Sequence, residues 1–162
     1  PEKLLRQIEA AYCKAPYFQQ TYEFLVPVIR YEDTNLFQYV YHSVKQVCRH
    51  LDICTPIIVS SRLKCDAALK SQEKVIAICR ERRCERYVNA IGGMKLYHAD
   101  DFAREQIELC FIQTECGEYA QFKNAFIPSL SIIDVLMFNS KEEVREMLKS
   151  FRLIKGGVRD AV

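Results

Sequence analysis

The spacing of hydrophobic residues changes near Pro56, and this change limits the folds that are open to the chain. Before Pro56, apolar residues recur at helical spacing, as in "EKLLRQIEAAY" and between Leu36 and Leu51, which predicts amphipathic helices. After it, short β-branched runs alternate with helical segments. "TPIIVSS" predicts a strand over about residues 57–60, and "RYVNAI" and "IELCFIQ" predict two more. The sequence therefore predicts a helical first third followed by a small β-α-β-α-β unit.

This alternation favours a mostly parallel sheet, so the expected fold class is α/β. One helix is predicted over about residues 71–84, and "ADDFAREQ" predicts a short one before the last strand. Two C-terminal helices follow in "PSLSIIDVLMF" and "SKEEVREMLKSF", and Ser140 and Glu143 have the spacing of a capping box. We expect a single α/β domain over residues 1–154 and a flexible tail over residues 155–162.

Composition excludes several classes of protein. The chain has 23 basic and 21 acidic residues and a net charge of +2, so it lacks the basic field that nucleic-acid binding requires. No apolar run reaches the roughly 18 residues of a membrane span. The 8 cysteines lie in apolar segments without a C-x-x-C motif, which is typical of reduced thiols in a cytoplasmic protein. Because a helical pattern begins at Pro1, we expect a fragment of a longer protein.

Gly92 and Gly93 stand directly after a predicted strand and shortly before a predicted helix. In α/β sheets, ligands bind beyond the carboxyl ends of the strands, and glycines let backbone N–H groups approach a phosphate or a sugar hydroxyl. Asn89 and Tyr97 are candidates to orient such a ligand. The simpler interpretation is a tight turn that needs a positive φ at glycine. The dinucleotide-binding pattern G-x-G-x-x-G is absent.

Asp134 is a carboxyl group within a predicted apolar helix, where it must be hydrogen-bonded, paired or protonated. Ser131 lies three residues earlier, so a structural role at the helix start is one interpretation. The other makes Asp134 a general base, with Ser131 as a ligand-binding residue. His98, next to the glycine turn, is the second catalytic candidate, and it fits equally a surface position where a helix begins.

Two further groups have simpler explanations. "CRERRCER" places four arginines near a helix end, where cations complement the helix dipole; a phosphate clamp would require two of them to face the glycines. Cys48, His50 and Cys54 lack a second half with zinc-ligand spacing, and Cys48 and His50 point to different faces of a helix. We expect neither a metal nor a cofactor.

Four stretches together resemble the WbqC-like protein family, in order and at matching separations: "EKVIAICRE", "YVNAIGGMKLY", "IELCFIQ" and "FIPSLSIIDVLMFNS". The resemblance runs from the first helix to about Ile154. Members of the family begin with a strand and a Gln-Pro-x-Tyr type segment, to which nothing here corresponds. The chain is therefore expected to be the C-terminal two thirds of a member.

The resemblance implies a cytoplasmic step in the synthesis of O-antigen and other bacterial surface polysaccharides, with a nucleotide-linked sugar as the small-molecule partner. The favoured hypothesis is a transferase that carries an acyl or aminoacyl group to a sugar amine. The alternative is a non-catalytic module that binds a sugar nucleotide or acts as a scaffold. A homo-oligomer is compatible with both. A buried Asp134 beside the glycine turn favours the enzyme, whereas an exposed apolar patch favours the scaffold.

Overall fold

The computed structural model describes residues 1–115, 117–123 and 125–157, and they form two compact units. The first unit contains residues 1–57 and the described residues from 117 to 149; the second contains residues 58–115 and 150–157. The expected α/β class is confirmed: a helical N-terminal region, a three-stranded sheet and two C-terminal helices. The elements are α1 Glu2–Tyr12, α2 Phe18–Ile29, α3 Leu36–His50, α4 Ser71–Glu81, β1 Arg86–Ala90, α5 Ala99–Arg104, β2 Glu108–Thr114, α6 Ile132–Phe138, α7 Lys141–Met147 and β3 Phe151–Lys155.

The core of the first unit forms where α1, α2 and α6 meet. Leu5 of α1 and Leu25 of α2 are buried there against Met137 of α6. The Thr21 hydroxyl, also buried, donates a hydrogen bond of 2.8 Å to the Leu136 carbonyl and so joins α2 to α6. A second cluster packs Leu51 and Leu136 against Val144 of α7.

Serine side chains fix the first residues of both C-terminal helices. The Ser131 hydroxyl accepts a hydrogen bond from the Ile133 N–H at the start of α6. At the start of α7, Ser140 accepts from the Glu143 N–H at 3.1 Å, and the Glu143 carboxylate accepts from the Ser140 N–H at 2.6 Å. The predicted capping box is therefore confirmed, because each side chain satisfies a backbone donor that the helix leaves free.

The second unit is built on a mixed sheet in the order β1-β2-β3. β1 and β2 are parallel, with Arg86 opposite Glu108, and β3 runs antiparallel to β2, with Lys155 opposite Cys110. One face carries the core, in which Phe102 of α5 and Phe111 of β2 are almost fully buried. On the other face of the sheet, ion pairs join the strands, because Glu108 contacts both Arg86 and Lys155.

The structure corrects two details of the predicted sheet. Residues 57–60 form no strand: Val59 has an extended backbone (φ −81°, ψ 110°), but Ile57 and Ile58 are exposed and the segment leads into a 3₁₀ turn. β3 was predicted as the end of a helix and the start of a tail, yet it completes the sheet. The Gly156 N–H extends this contact by donating to the Leu109 carbonyl. Residues 158–162 of the expected tail lie outside the described residues.

Replacing the helix cap tests the local stability of α7. Ser140→Ala should lower the free energy of unfolding by about 1 kcal/mol, because the Glu143 N–H loses its acceptor. Ser61→Ala is the matched control, since Ser61 is exposed in the 3₁₀ turn Ser60–Arg62 and caps neither C-terminal helix. Urea denaturation of both variants measures the difference, and equal midpoints for the two would contradict the assigned role of the cap.

Candidate functional site

Asp134, the third residue of α6, is buried, with 3% of its surface exposed. Its Oδ1 accepts hydrogen bonds from the Tyr119 hydroxyl at 2.7 Å and from the Gln121 side-chain amide at 2.9 Å. Its Oδ2 accepts one from the Tyr12 hydroxyl at 3.0 Å. These donors are all neutral, so the carboxyl group is compensated by hydrogen bonds rather than by a cation among them.

Gln121 connects this cluster to the segment before α6. Its side-chain amide also donates to the Ile127 carbonyl, and its side-chain oxygen accepts from the Ile127 N–H at 2.7 Å. Aromatic rings surround the cluster: Tyr12 and Tyr119 both contact Phe138. The carboxyl group is thus held by two separate parts of the chain, α1 and the segment before α6, beside aromatic rings.

The sequence predicted Asp134 as a candidate and Ser131 as the residue at the start of its helix, but not the three donors. Ser131 caps the Ile133 N–H, and the carboxyl group of Asp134 takes no part in a capping box. Tyr12 has the spacing of an inward-facing residue of α1, which indicates burial but gives no partner. It is 122 positions away from Asp134, and only the packing of α1 on the rest of the unit brings them together. Tyr119 and Gln121 lie in a polar connecting segment in which no periodic pattern distinguishes them.

The Tyr12–Asp134 hydrogen bond affects the pKa of the Tyr12 hydroxyl. Burial, and then the contact with Asp134, raise the pKa of Tyr12 to about 12. Because the folded pKa lies above the ordinary value of 10.0, the neutral phenol contributes stability below pH 10 that is lost as the pH rises through about 12. At neutral pH, Tyr12 is therefore a hydrogen-bond donor that keeps its proton.

Asp134→Asn should lower the pKa of Tyr12 without restoring its ordinary value, because burial persists. A rapid pH jump followed by phenolate absorbance measures this before the chain unfolds. Tyr12→Phe identifies the signal, since it removes that phenolate alone. If the transition that Tyr12→Phe removes lies at the same pH in wild type and in Asp134→Asn, Asp134 does not stabilise the neutral phenol.

In the second unit, the structure brings Asn89, Gly93 and Tyr97 together beyond the carboxyl end of β1. A 3₁₀ turn, Ile91–Gly93, follows that strand directly. No described glycine has a positive φ, so the expected left-handed turn is wrong. Gly93 is instead required by close approach: a Cβ there would lie 2.6 Å from the Asn89 amide nitrogen and 3.5 Å from a Tyr97 ring carbon. A Cβ on Gly92 would have nothing within 4 Å.

Tyr97 and His98 connect this turn to the core and to α5. The Tyr97 ring packs edge-on against Phe102, and its hydrogen bond with Tyr87 adds to the burial that raises the pKa of Tyr87. The His98 N–H donates to the Gln72 side chain at 2.6 Å where α5 begins. Asp100, in the first turn of α5, already complements the positive end of that short helix.

The predicted site residues therefore fall into two groups, one in each unit. Asp134 and Ser131 belong to α6 in the first unit, and the residues of the glycine turn belong to the second. Other side chains singled out in the sequence have local contacts of their own. His50 stacks on Phe24 with ring centroids 4.2 Å apart, and burial lowers its pKa. Arg80 and Arg86 pair with Glu105 and Glu108, respectively.

Comparison with known proteins identifies the family. Residues 1–146 match the WbqC-like protein family, so the chain belongs to it. No curated protein and no solved structure matches the chain. Within the part of the chain that the structure describes, no helix combines the length and apolar character that crossing a membrane requires. Membership in the family suggests involvement in polysaccharide or O-antigen-related biosynthesis.

The two adjacent glycines should respond differently to alanine. Gly93→Ala should lower the free energy of unfolding by about 1 kcal/mol, since the new methyl group displaces the Asn89 side chain. Gly92→Ala should be neutral or stabilise by about 0.5 kcal/mol, because its φ is not positive and the space beside it is open. Urea denaturation of both variants measures these changes.

Asn89→Ala provides the control for that comparison. In its background, Gly93→Ala should cost much less, because the amide that meets the new Cβ is gone. A Gly93→Ala cost that is unchanged in this background would show that Asn89 is not the cause.

Proposed function

We propose that the chain is part of a cytoplasmic enzyme of O-antigen-type polysaccharide synthesis that transfers an acyl or aminoacyl group to the amine of a nucleotide-linked sugar. Family membership supports the pathway. The observation that carries the catalytic part of the proposal is the buried Asp134 carboxyl group with its neutral donors. Carboxyl groups are rarely buried without a paired charge, which makes Asp134 a candidate functional group.

Asp134 has the chemistry of a general base. When a sugar amine attacks an acyl carbonyl, the new C–N bond forms as the bond to the leaving group breaks, and the nitrogen loses one proton. A carboxylate within hydrogen-bond reach receives that proton. Among the described residues, Tyr12 donates to Oδ2 at 3.0 Å. Oδ1 accepts two shorter hydrogen bonds, of 2.7 Å from Tyr119 and 2.9 Å from Gln121. A substrate N–H would therefore bind at Oδ2 in place of the Tyr12 hydroxyl.

The glycine turn is the proposed ligand-binding part of the second unit. Open space beside Gly92 would let a sugar or phosphate oxygen approach the backbone, and Asn89 and Tyr97 flank the neighbouring Gly93. His98 follows Tyr97 directly and is a candidate for a proton-transfer role. This assignment is independent of the one at Asp134, since each rests on contacts within its own unit.

The alternative is a non-catalytic module that binds a sugar nucleotide or serves as a scaffold. One observation favours it: both carboxylate oxygens of Asp134 already accept hydrogen bonds from other side chains. This is expected if the role of Asp134 is only to connect α6 to α1 and to the segment that contains Tyr119 and Gln121. The two functions differ in what they require of the Asp134 carboxylate. A structural role requires only its hydrogen bonds, whereas a general base requires its negative charge.

Asp134→Asn separates these functions. We expect turnover by the full-length protein to fall about 10²- to 10⁴-fold, because the proton acceptor is removed. Stability should change little. The asparagine oxygen can still accept from Tyr119 and Gln121, and its amide can donate to the Tyr12 hydroxyl, which can accept as well as donate.

The assay would present nucleotide-linked amino sugars with acyl-coenzyme A donors and follow the release of free thiol. Asp66→Asn is the matched control, since it makes the same chemical change at an exposed position that only caps the Ala68 N–H. Wild-type turnover in Asp134→Asn would remove Asp134 from the chemistry and leave the binding module as the better account.

A further inference from the structure

Cys79 and Cys84 lie at the C-terminal end of α4, where the chain turns back before β1. Cys79 is the third residue from the end of the helix, and its carbonyl accepts a hydrogen bond of 2.8 Å from the Cys84 N–H. The Arg83 N–H donates to the Arg80 carbonyl at 3.0 Å, and Arg83 has a left-handed backbone with a φ of 52°. These features define a Schellman motif, in which the side chains at the positions of Cys79 and Cys84 commonly pack against each other.

Two other helices end in the same motif and show which contact it ordinarily makes. Phe102 and Ile107 occupy the two contacting positions at the end of α5, and their backbone hydrogen bond is 3.0 Å long. Cys48 and Ile53 occupy them at the end of α3, with a bond of 2.8 Å. At the end of α4, both positions are cysteine. The fold therefore brings two thiols together where other helix ends need only an apolar contact.

The backbone geometry at Cys79 and Cys84 is compatible with a disulfide. A disulfide joins residues whose Cα atoms are usually about 4.4–6.8 Å apart. The hydrogen bond from the Cys84 N–H limits this separation to about 6.7 Å, because the nitrogen is bonded to one Cα atom and the carbonyl oxygen lies two bonds from the other. The side chains also meet, since the Cys79 side chain is hydrogen-bonded to that of Cys84. Both are free thiols.

The two thiols differ in their access to solvent. Cys79 belongs to the core of the second unit and has 4% of its surface exposed, whereas Cys84 packs against that core and is only partly buried. Burial, and then the neighbouring Cys84, raise the pKa of Cys79 to about 11, so Cys79 keeps its proton at neutral pH. A reagent in solution therefore reaches Cys84 first.

We infer that Cys79 and Cys84 form a reversible oxidation site, which closes to a disulfide on reaction with a small-molecule disulfide such as oxidised glutathione. The Cys84 thiolate attacks one sulfur of the reagent, and a new S–S bond forms as the old one breaks and one glutathione thiolate leaves. Cys79 then gives its proton to solvent and attacks the Cys84 sulfur, which releases the second glutathione thiolate. The protein loses two electrons and two protons, and the reagent is reduced to two thiols.

The contact between the thiols favours the second step, since Cys79 is held beside the sulfur that it attacks. The bridge joins the last turn of α4 to the residue two positions before β1. Its reopening is slow for a chemical reason. A thiol from solution attacks the accessible Cys84 sulfur and must expel Cys79, and a thiol with a raised pKa is a poor leaving group.

Peptide mapping tests the inference, because trypsin cleaves after lysine and arginine and so separates the two cysteines. The full-length protein is treated with oxidised glutathione, its remaining thiols are alkylated, and it is digested without a reductant. We expect "VIAICR" and "CER", residues 75–80 and 84–86, to be recovered as one linked peptide. Dithiothreitol should release the two peptides. Their recovery as separate peptides after oxidation would overturn the inference, as would a bridge from Cys84 to another cysteine.

Two serine variants provide the matched comparison. Cys84→Ser should lower the linked-peptide signal by about tenfold or more, because the sulfur that glutathione attacks first is gone. Cys54→Ser makes the same change at an exposed thiol in the first unit and should leave the linked peptide as in wild type. Circular dichroism verifies that both variants are folded. If Cys84→Ser does not fold, the wild-type peptide map decides alone. A linked-peptide signal that Cys54→Ser removes would contradict the assigned pair.

Discussion

A buried carboxyl group must be compensated by hydrogen-bond donors, and in the first unit this requirement falls on Asp134. A buried polar group left unsatisfied costs about 1–3 kcal/mol, so the donors are as constrained as the carboxyl group. They come from α1 and from the segment before α6, and Gln121 joins that segment to itself through Ile127. The packing of α1 near α6 and the path of the segment are thus determined together with the position of Asp134.

The sequence predicted one half of this site and could not predict the other. Ser131 and the apolar run after it mark the start of α6, and a carboxyl group inside such a run must be buried and satisfied. Its partners follow from no local rule. Tyr12 has only the helical spacing of α1 to indicate burial, and Gln121 is one polar residue among several in a connecting segment. Long-range packing determines which residues become the donors, and a single sequence shows no pattern from which that packing can be predicted.

The same limit explains the differences in the second unit. β-branched residues favour an extended backbone, and Val59 has an extended backbone. A strand also needs a neighbouring strand whose backbone N–H and C=O groups are free to pair with it. β2 pairs on one side with β1 and on the other with β3, which comes from the far end of the chain. Gly93 shows the limit at a single residue. Its sequence context indicated a position that only glycine fits, whereas the reason, contact with Asn89 rather than a positive φ, required the structure.

The proposed catalytic group lies in the first unit, and α2 packs against α6, the helix that carries it. α2 contacts both α3 and α6. The hydrogen bond from Thr21 to the Leu136 carbonyl holds α2 to α6 two residues from Asp134. The position of Asp134 therefore depends on the packing of α2 against α6 as well as on its own hydrogen-bond donors.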